Sequence, residues 1–536
     1  MESSGLHTLD YIVFFFYFVL IIGYGYWVFR KKNTGKNTAN EYFLAEGSLT
    51  FWAIGASLIA SNISAEHFIG MSGSGFAIGL AISSYEWMSA ATLLVVAVFF
   101  LPVYLKNKIY TMPQFLRQRY NPIVASTMAV FWLLLYVFVN LTSILYLGAL
   151  ALEVTAGVDF TIAIFALAVF AIVITIGGMK VIGYTDVVQV VVLILGGLIT
   201  TYLAMDMVAK HFNNPNILSA FGTLKEQADS HFHMILPKSN PYYKDLPGLT
   251  VIIGAMWVNN LNYWGCNQYI VQRTLGADLK TARQGIVFAA FLKLLIPLIV
   301  VIPGIAAFVL HENGVFQKEM LDAAGVVKPD HAYPVLLNLL PAGLKGIAFA
   351  ALTAAIVASL AGKANSISTI FSLDIYKIYI KPDATDKHLV RVGRLAVVVA
   401  MGIAALIAPQ LRVLDQAYQF VQEYSSFITP GVFAIFLLGL FWKRTTGTAA
   451  LVAALLTIPL SLAFKIWYEE VPFLDRMGII FLILIAIIVA ISLTSKNKDN
   501  SKGMDIGIPK ANFTTGFIIS TIIICGVLTA LYTIFW

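Results

Sequence analysis

Charge is scarce in this chain, since only 12% of its 536 residues are Asp, Glu, Lys or Arg. Soluble domains average about 25%. The two cysteines, Cys266 and Cys525, lie within apolar segments, so we expect neither a disulfide nor a metal site from them. The Walker A motif and the hydrolase motifs His-Glu-x-x-His and Gly-x-Ser-x-Gly are absent. The sequence therefore argues against a soluble domain, an ATP-driven pump and an enzyme.

Apolar residues are correspondingly abundant. They make up 59% of the chain, and the mean hydropathy is +0.82. A spanning helix needs about 20 predominantly apolar residues, and the chain contains about fourteen such stretches. We predict an all-α polytopic membrane protein with one transmembrane domain over residues 1–536. The predicted spans are residues 9–30, 50–77, 79–104, 124–152, 158–178, 184–208, 248–274, 284–310, 343–376, 391–408, 415–442, 447–466, 476–494 and 514–535.

Basic residues alternate between the loops that join these spans. The loops after odd-numbered spans hold most of the Lys and Arg, and the intervening loops hold few. Because cytoplasmic loops carry such an excess, both termini are predicted to lie outside. The loop residues that carry this signal include Arg30, Lys31, Lys32, Lys36, Lys106, Lys108, Arg117, Arg119, Arg273, Lys280, Arg283, Lys377, Lys381, Lys387, Arg391 and Arg394.

Polar residues interrupt two of the predicted spans. Ser61, Asn62 and Ser64 lie in the middle of 50–77, and an asparagine-rich stretch lies in 250–274. Irregular backbone at membrane depth must line a cavity or be covered by protein, and interrupted helices indicate the binding site of a transporter. Since the second interrupted span comes five spans after the first, we predict two halves of opposite orientation, residues 50–208 and 248–442, with the site between them.

Glu86 and Lys293 lie within apolar segments, where an ionised side chain is costly. An acid and a base in one cavity carry no net charge, which favours a neutral, polyhydroxylated solute over an ion. Carboxylate oxygens accept hydrogen bonds from hydroxyls, and an ammonium group donates them. The alternative is a structural ion pair. Further partners for such a solute are Ser89, His67, Asn140, Asn260, Gln419 and Gln422, with Tyr263 and Trp264 as surfaces for a sugar ring.

Other polar residues within the spans allow two interpretations each. Ser359 ends an alanine-rich run and serves either close helix packing or an all-oxygen sodium site. Asp186 is either a cation relay or the N-cap of its helix, and we favour the cap. His67 is a site residue or a core residue. Asp374 and Glu423 lie near the ends of their segments and are predicted to be interfacial.

Several motifs give the chain a resemblance to the sodium/solute symporter family, most of all to its bacterial sodium/galactose and animal sodium/glucose members. The resemblance covers nearly the whole length. It implies a five-plus-five inverted-repeat fold of the LeuT type, with one helix (9–30) before the ten-helix core and three helices (447–535) after it. The motifs are Ser64-Ala65-Glu66, Phe68 to Gly75, Tyr85 to Ser89, Gly177-Gly178 through Asp186, Tyr263-Trp264-Gly265, Gln272 to Leu275, Asp374-Ile375-Tyr376 and Gln422-Glu423-Tyr424.

The resemblance also implies roles for individual residues. The sugar-site positions are His67, Glu86, Ser89, Asn260, Lys293 and Gln422, with Trp264 beside the sugar. Tyr263 is implied to be the inner gate, and Met71 and Tyr85 are implied to lie near the outer gate. The implied sodium ligands are the carbonyls of Ala60, Ile63 and Ala355, together with Ala358 and Ser359. Asp186 falls on a position linked to sodium exit.

This sequence departs from the family pattern at three positions, two of them among the implied site residues. His67 replaces a glutamine of the bacterial galactose members, which would shift hexose preference. Ala358 replaces a serine that supplies a sodium ligand, and Lys363 replaces an apolar residue one turn further along the helix. A lysine there either takes the place of the sodium ion or extends its ammonium group to the cytoplasmic vestibule. We favour the second interpretation.

The expected function is secondary active import of a neutral hexose, galactose or glucose, coupled to inward Na⁺ movement by alternating access. The alternative is a sodium-independent or proton-linked sugar transporter, or a sugar sensor, in which Lys363 replaces the sodium. The expected partners are a sugar, Na⁺ and the lipid bilayer, with no nucleic acid, and a homodimer is left open. The expected location is a bacterial inner membrane.

Overall fold

The computed structural model describes residues 7–32, 50–109, 111–176, 179–275, 277–322, 325–338, 340–413, 416–509 and 513–536. Within these ranges the chain is helical apart from loops and one isolated bridge between Leu321 and Val327. The prediction of an all-α membrane protein is confirmed. Gly177 and Gly178 of the sequence motif, and Lys36 of the first basic loop, lie outside the described residues.

Nine helices of the described chain are long and apolar enough to cross a membrane. A tenth span is formed if Ala417–Ser425 and Thr429–Phe441, which meet at a bend of 47°, are taken together. The number fourteen and the inverted repeats therefore stay predictions. The nine are Leu80–Lys106, Pro122–Ala156, Asp186–His211 (part of a helix that begins at Met179), Leu279–Glu312, Leu344–Ile380, Asp386–Val413, Gly447–Trp467, Phe473–Leu493 and Thr515–Ile534.

The remaining helices are not among these spans. Some lie within the other predicted spans, namely Thr8–Lys32, Phe51–Asn62, Glu66–Met71, Ser72–Ala77, Phe160–Ile176, Leu249–Ile253, Ala255–Cys266 and Gln268–Val271. Others lie in the connections, namely Met112–Arg119, Ile217–Gln227, Asp229–Phe232, Pro329–His331 and Ala332–Leu337.

Both polar interruptions coincide with breaks in the helices. In the first broken helix (residues 51–77), the chain turns extended at Ile63, with ψ 122°, and becomes helical again at Glu66. The second broken helix (residues 249–271) is interrupted at Gly254 and again at Asn267, where ψ is 124°. A helix that ends inside the protein leaves its last carbonyls without helical partners. Each break therefore brings backbone oxygens and polar side chains to membrane depth.

The proline-containing helix Leu279–Glu312 packs closely along the first broken helix because glycines line their contact. A Cβ on Gly55 would lie 2.7 Å from the Gly285 carbonyl oxygen, and one on Gly304 would lie 2.1 Å from that of Ser72. These distances exclude larger side chains without movement of the backbone, as is usual where small residues bring membrane helices together. The close approach holds Lys293, in the middle of this helix, against the first break.

The first helix, Thr8–Lys32, is attached to the alanine-rich helix Leu344–Ile380. Asp10 is fully buried, and its Oδ1 accepts hydrogen bonds from the backbone N–H groups of Gly343 (2.7 Å) and Gly346 (2.8 Å). These groups lie at the N-terminus of the alanine-rich helix. Its first N–H groups have no partners within the helix, and a carboxylate from another helix satisfies two of the donors at this end.

Candidate functional site

A polar cavity lies where the two broken helices meet. Its empty volume is about 730 Å³, including its opening to solvent. Amide, hydroxyl and charged side chains dominate its wall. The polar residues that line it are Asn62, Glu66, His67, Tyr85, Glu86, Ser89, Asn140, Asn259, Asn260, Asn262, Tyr263, Asn267, Tyr269, Lys363, Tyr418, Gln422, Ser425 and Thr429.

Glu86 is the centre of a charged cluster on this wall. Lys293 Nζ donates to Glu86 Oε2 at 2.6 Å, and His67 Nε2 lies 3.3 Å from Glu86 Oε1. Lys293 also donates to the Asn62 side-chain oxygen. Its side chain is 0% exposed and does not reach the cavity surface. Lys293 therefore acts on the cavity through Glu86 and Asn62, which do line it.

Ser89 and Asn260 form a second polar contact on the same wall. The Ser89 hydroxyl lies 2.6 Å from the Tyr85 carbonyl oxygen in its own helix and 3.1 Å from Asn260 Oδ1. Across the cavity, Asn259 Nδ2 donates to Gln422 Oε1 at 3.4 Å. The structure thus brings together six of the predicted substrate residues on the cavity wall. They are His67, Glu86, Ser89, Asn260, Tyr263 and Gln422.

The hydroxyl of Tyr263 connects the two broken helices. It accepts a hydrogen bond from Asn62 Nδ2 at 2.9 Å and another from the Tyr269 hydroxyl. Trp264, expected beside the sugar, is buried behind this wall, and its ring centre lies 5.1 Å from Lys293 Nζ. It lines a separate small cavity with apolar neighbours. Its contact with the charged cluster is therefore a cation–π contact with Lys293.

The two residues expected near the outer gate occupy different environments. Tyr85 borders the cavity, and its ring meets that of Tyr418 edge to face at 5.4 Å between centres. Met71 is fully buried and lies outside the cavity lining. Of these two, only Tyr85 is placed where it would contact a solute in the cavity.

The expected sodium ligands are buried where the first break and the alanine-rich helix come together. Since Phe51–Asn62 ends at the break and Ile63 N–H bonds to the Ile59 carbonyl oxygen, the carbonyls of Ala60 and Ile63 fall beyond the last helical partner. Ser359 Oγ is buried and has no hydrogen-bond partner among the described residues. These oxygens suit a hard cation such as Na⁺. Ala358, however, contributes a methyl group where the resemblance implies a ligand.

Lys363 does not extend to the cytoplasmic vestibule, and the favoured interpretation is wrong on this point. Its side chain is 2% exposed, and its Nζ lies 3.3 Å from Glu66 Oε2. The same Nζ lies 5.5 Å from the centre of the Tyr269 ring. Both Glu66 and Lys363 border the cavity. The ammonium group stays inside the protein because a carboxylate and an aromatic face are available there.

Asp186 is likewise placed differently from the favoured interpretation. It lies inside a helix that begins at Met179, so it is not an N-cap. The Ser57 hydroxyl donates to its Oδ2 at 2.7 Å, and Arg273 Nη1 donates to the same oxygen at 3.1 Å. The Asp186 and Arg273 side chains are each 1% exposed. This cluster joins the first broken helix to two other segments away from the cavity.

The remaining two acidic residues were predicted to be interfacial. Asp374 is 2% exposed and accepts a hydrogen bond from Arg117 Nη2 at 2.7 Å, and its position at the membrane interface stays a prediction. The charge is tolerated in the interior because Arg117 compensates it. The Glu423 side chain is 27% exposed and pairs with Lys465 and Arg476, each at 3.1 Å.

Sequence reasoning missed several residues of the cavity wall. Tyr269, Tyr418 and Asn267 line it, and the pairing of Glu66 with Lys363 was not anticipated. Asn267 marks the second break, so its position in the interrupted segment was an available signal. Tyr418 lies at the start of the bent pair, where nothing in the hydropathy pattern singled it out.

A polar cavity bounded by two broken helices within an apolar helical bundle defines the solute site of a membrane transport protein. A family model described as the sodium:solute symporter family matches residues 42–457, and the chain belongs to this family of transporters. Over its whole length it is 49% identical to a sodium/glucose cotransporter of Vibrio parahaemolyticus, of which it covers 99%.

A second relative and a solved structure extend this comparison. Over 84% of its length the chain is 35% identical to the human sodium/myo-inositol cotransporter 2, of which it covers 68%. The solved structure is that of a Na⁺-coupled sialic acid symporter in a substrate-bound, outward-open state. It is 22% identical, with a TM-score of 0.78 over 93% of this chain and 100% of that one. This likeness establishes the fold.

Proposed function

We propose that this protein imports a neutral hexose, galactose or glucose, together with Na⁺ moving inward. The observation that carries the proposal is the cluster of Glu86, Lys293 and His67. One carboxylate and one ammonium group cancel in charge, and Glu86 and His67 face the cavity. A neutral solute with many hydroxyls makes use of such a wall, since carboxylate oxygens accept from hydroxyls and an imidazole both donates and accepts. The 49% identical sodium/glucose cotransporter supports this assignment.

In this proposal most of the predicted site residues have a defined task. Glu86 and Gln422 accept hydrogen bonds from the hydroxyls, Asn260 and His67 donate to the ring and hydroxyl oxygens, and Lys293 keeps Glu86 ionised and oriented. Tyr263 closes the cavity on the cytoplasmic side. Tyr85 and Met71 belong to the outer closure, and Trp264 supports the wall from behind.

Sodium is proposed to bind between the first break and the alanine-rich helix. Its ligands would be the carbonyls of Ala60, Ile63 and Ala355 and the hydroxyl of Ser359, while Ala358 supplies no side-chain oxygen. The unpartnered Ser359 hydroxyl supports this placement. Release would proceed toward Asp186. Fourteen spans, two inverted repeats (50–208 and 248–442) and termini on the outer side of a bacterial inner membrane complete the proposal.

Uptake into proteoliposomes tests the function. Radiolabelled galactose, glucose and myo-inositol are offered under an inward Na⁺ gradient, under K⁺, and under a pH gradient with K⁺. We expect a hexose to accumulate above equilibrium only with the Na⁺ gradient. Uptake that merely equilibrates, or that follows the pH gradient, would contradict sodium coupling and favour the alternative in which Lys363 replaces the ion. Accumulation of myo-inositol without any hexose would overturn the substrate class.

A further inference from the structure

The cavity wall carries a second ion pair, formed by Glu66 and Lys363, that the proposed solute site does not use. Glu66 is the first residue of the helix that resumes after the first break, and Lys363 lies in the middle of the alanine-rich helix. Their charged atoms are 3.3 Å apart, and the two side chains are 8% and 2% exposed. The pair therefore links two helices directly beside a break in one of them.

The position of Glu66 is in turn tied to the break itself. Its backbone N–H donates to the Ser64 hydroxyl at 3.1 Å, and the same hydroxyl lies 3.2 Å from Glu66 Oε2. The Glu66 carboxylate, which accepts a hydrogen bond from Lys363, thus also accepts one from Ser64. Ser64 is one of the residues between the two helical halves. Removing either charged partner would leave the other buried without compensation, which is strongly unfavourable.

Lys363 shares a helix face with the expected sodium ligand Ser359. The two residues are four apart, so they lie one above the other, about 6 Å along the axis. A cation bound by Ser359 and by the carbonyls of the first break would connect the same two helices that the Glu66–Lys363 pair connects. Two positive charges at this spacing in the interior also repel each other.

We propose that Lys363 is a tethered cation: by holding Glu66, it orders the first broken helix in the absence of Na⁺ and weakens the binding of Na⁺ beside Ser359. Lys363 is a positioning residue that acts through Glu66. The weakened binding of Na⁺ and its consequence for transport, that solute binds before Na⁺ does, rest on the proposed function. The ordering of the helix does not, because it requires no solute.

Hydrogen–deuterium exchange of the full chain in lipid nanodiscs tests the proposal without any sugar. The backbone amides of residues 58–74 are followed in NaCl and in KCl. In the unchanged protein we expect equally slow exchange in both salts. In Lys363→Met, exchange in KCl should rise at least tenfold and return toward the original rate as NaCl is added. Glu66→Gln should raise exchange in KCl in the same way, but NaCl should restore it less than in Lys363→Met because the ammonium group of Lys363 remains. Lys363→Arg should retain the protection.

Two further variants complete the test. The double variant with Glu66→Gln and Lys363→Met should exchange no faster than either single variant, because the two act through one contact. Lys345→Met removes another buried lysine from the same helix and should leave residues 58–74 unchanged. If exchange in KCl is unaltered in Lys363→Met, or is raised equally in NaCl, the proposal is overturned. Failure of hexose uptake in the unchanged protein would instead count against the proposed function alone.

Discussion

Two buried charge clusters of this protein have the same composition and different surroundings. The cavity cluster combines an acid, a base and a further polar side chain in Glu86, Lys293 and His67, and the sealed cluster does so in Asp186, Arg273 and Ser57. Two members of the cavity cluster line the cavity, whereas none of the sealed cluster does. A buried ion pair in a membrane helix is therefore not by itself a sign of a solute site.

The cavity cluster also keeps unused hydrogen-bonding capacity. His67 Nδ1 is buried and has no partner among the described residues, although the ring borders the cavity. In the sealed cluster, the Ser57 hydroxyl lies 2.5 Å from Arg273 Nη1 and 2.7 Å from Asp186 Oδ2, so one small hydroxyl serves two charged neighbours. Because only the cavity cluster borders the cavity, we expect mutations in it to act on transport and mutations in the sealed cluster to act on stability.

The largest effect is expected from Glu86→Gln. The change keeps the shape and leaves the Lys293 ammonium group without its carboxylate, which costs about 3–5 kcal/mol for a buried pair. We expect hexose uptake in proteoliposomes to fall at least a hundredfold. A double variant that adds Lys293→Met should recover the thermal stability and not the uptake. Normal uptake by Glu86→Gln would remove this cluster from the solute site.

Asp186→Asn should lower stability and spare solute binding. The amide retains a hydrogen bond to Ser57 but leaves the Arg273 guanidinium buried without its carboxylate, which costs about 3–5 kcal/mol for a buried pair. The melting temperature in detergent should fall, while the dissociation constant for hexose stays within about twofold. A tenfold weaker affinity with an unchanged melting temperature would contradict the distinction between the two clusters.

Tyr263→Phe tests the connection between the two broken helices. The variant loses the hydroxyl that bonds to Asn62 and Tyr269, and a hydrogen bond contributes about 1 kcal/mol. We expect hexose affinity, measured by equilibrium binding, to weaken roughly fivefold. Tyr379→Phe is the matched control, because Tyr379 is exposed and lies away from the cavity. Equal effects from both variants would show that the Tyr263 hydroxyl has no specific role.

The smallest effect is expected from Ser89→Ala. The Ser89 hydroxyl is already close to a carbonyl oxygen of its own helix, and its contact with Asn260 is the longer of the two. Its loss should cost about 0.5–1 kcal/mol, seen as a two- to fivefold change in the hexose dissociation constant. A loss as large as that of Glu86→Gln would mean that Ser89 contacts the solute directly.

The sequence predicted the two helix breaks because a polar residue within an apolar segment can be recognised from its neighbours in the chain alone. Asn62 and Asn260 were recognised in this way. Glu86 and Lys293 were recognised because few other residues in the apolar segments could compensate the charge of either one. The partner of Lys363 could not be predicted, because Glu66 is 297 positions away in the chain and only the crossing of two helices brings them together. The favoured role of Asp186 was wrong for a related reason. A capping residue and a buried acid look alike until the start of the helix is known.

Because Asp10 binds the start of the alanine-rich helix, the position of the first helix should report the movement of that helix. Two backbone N–H groups at the N-terminus of that helix donate to the Asp10 carboxylate of Thr8–Lys32. Displacement of one helix relative to the other would therefore break both hydrogen bonds. The two helices should therefore move as one unit when the transporter changes conformation. A fluorophore or spin label on the exposed side of the first helix, for example in place of Phe16, which is 62% exposed, would follow the alanine-rich helix without disturbing the cavity.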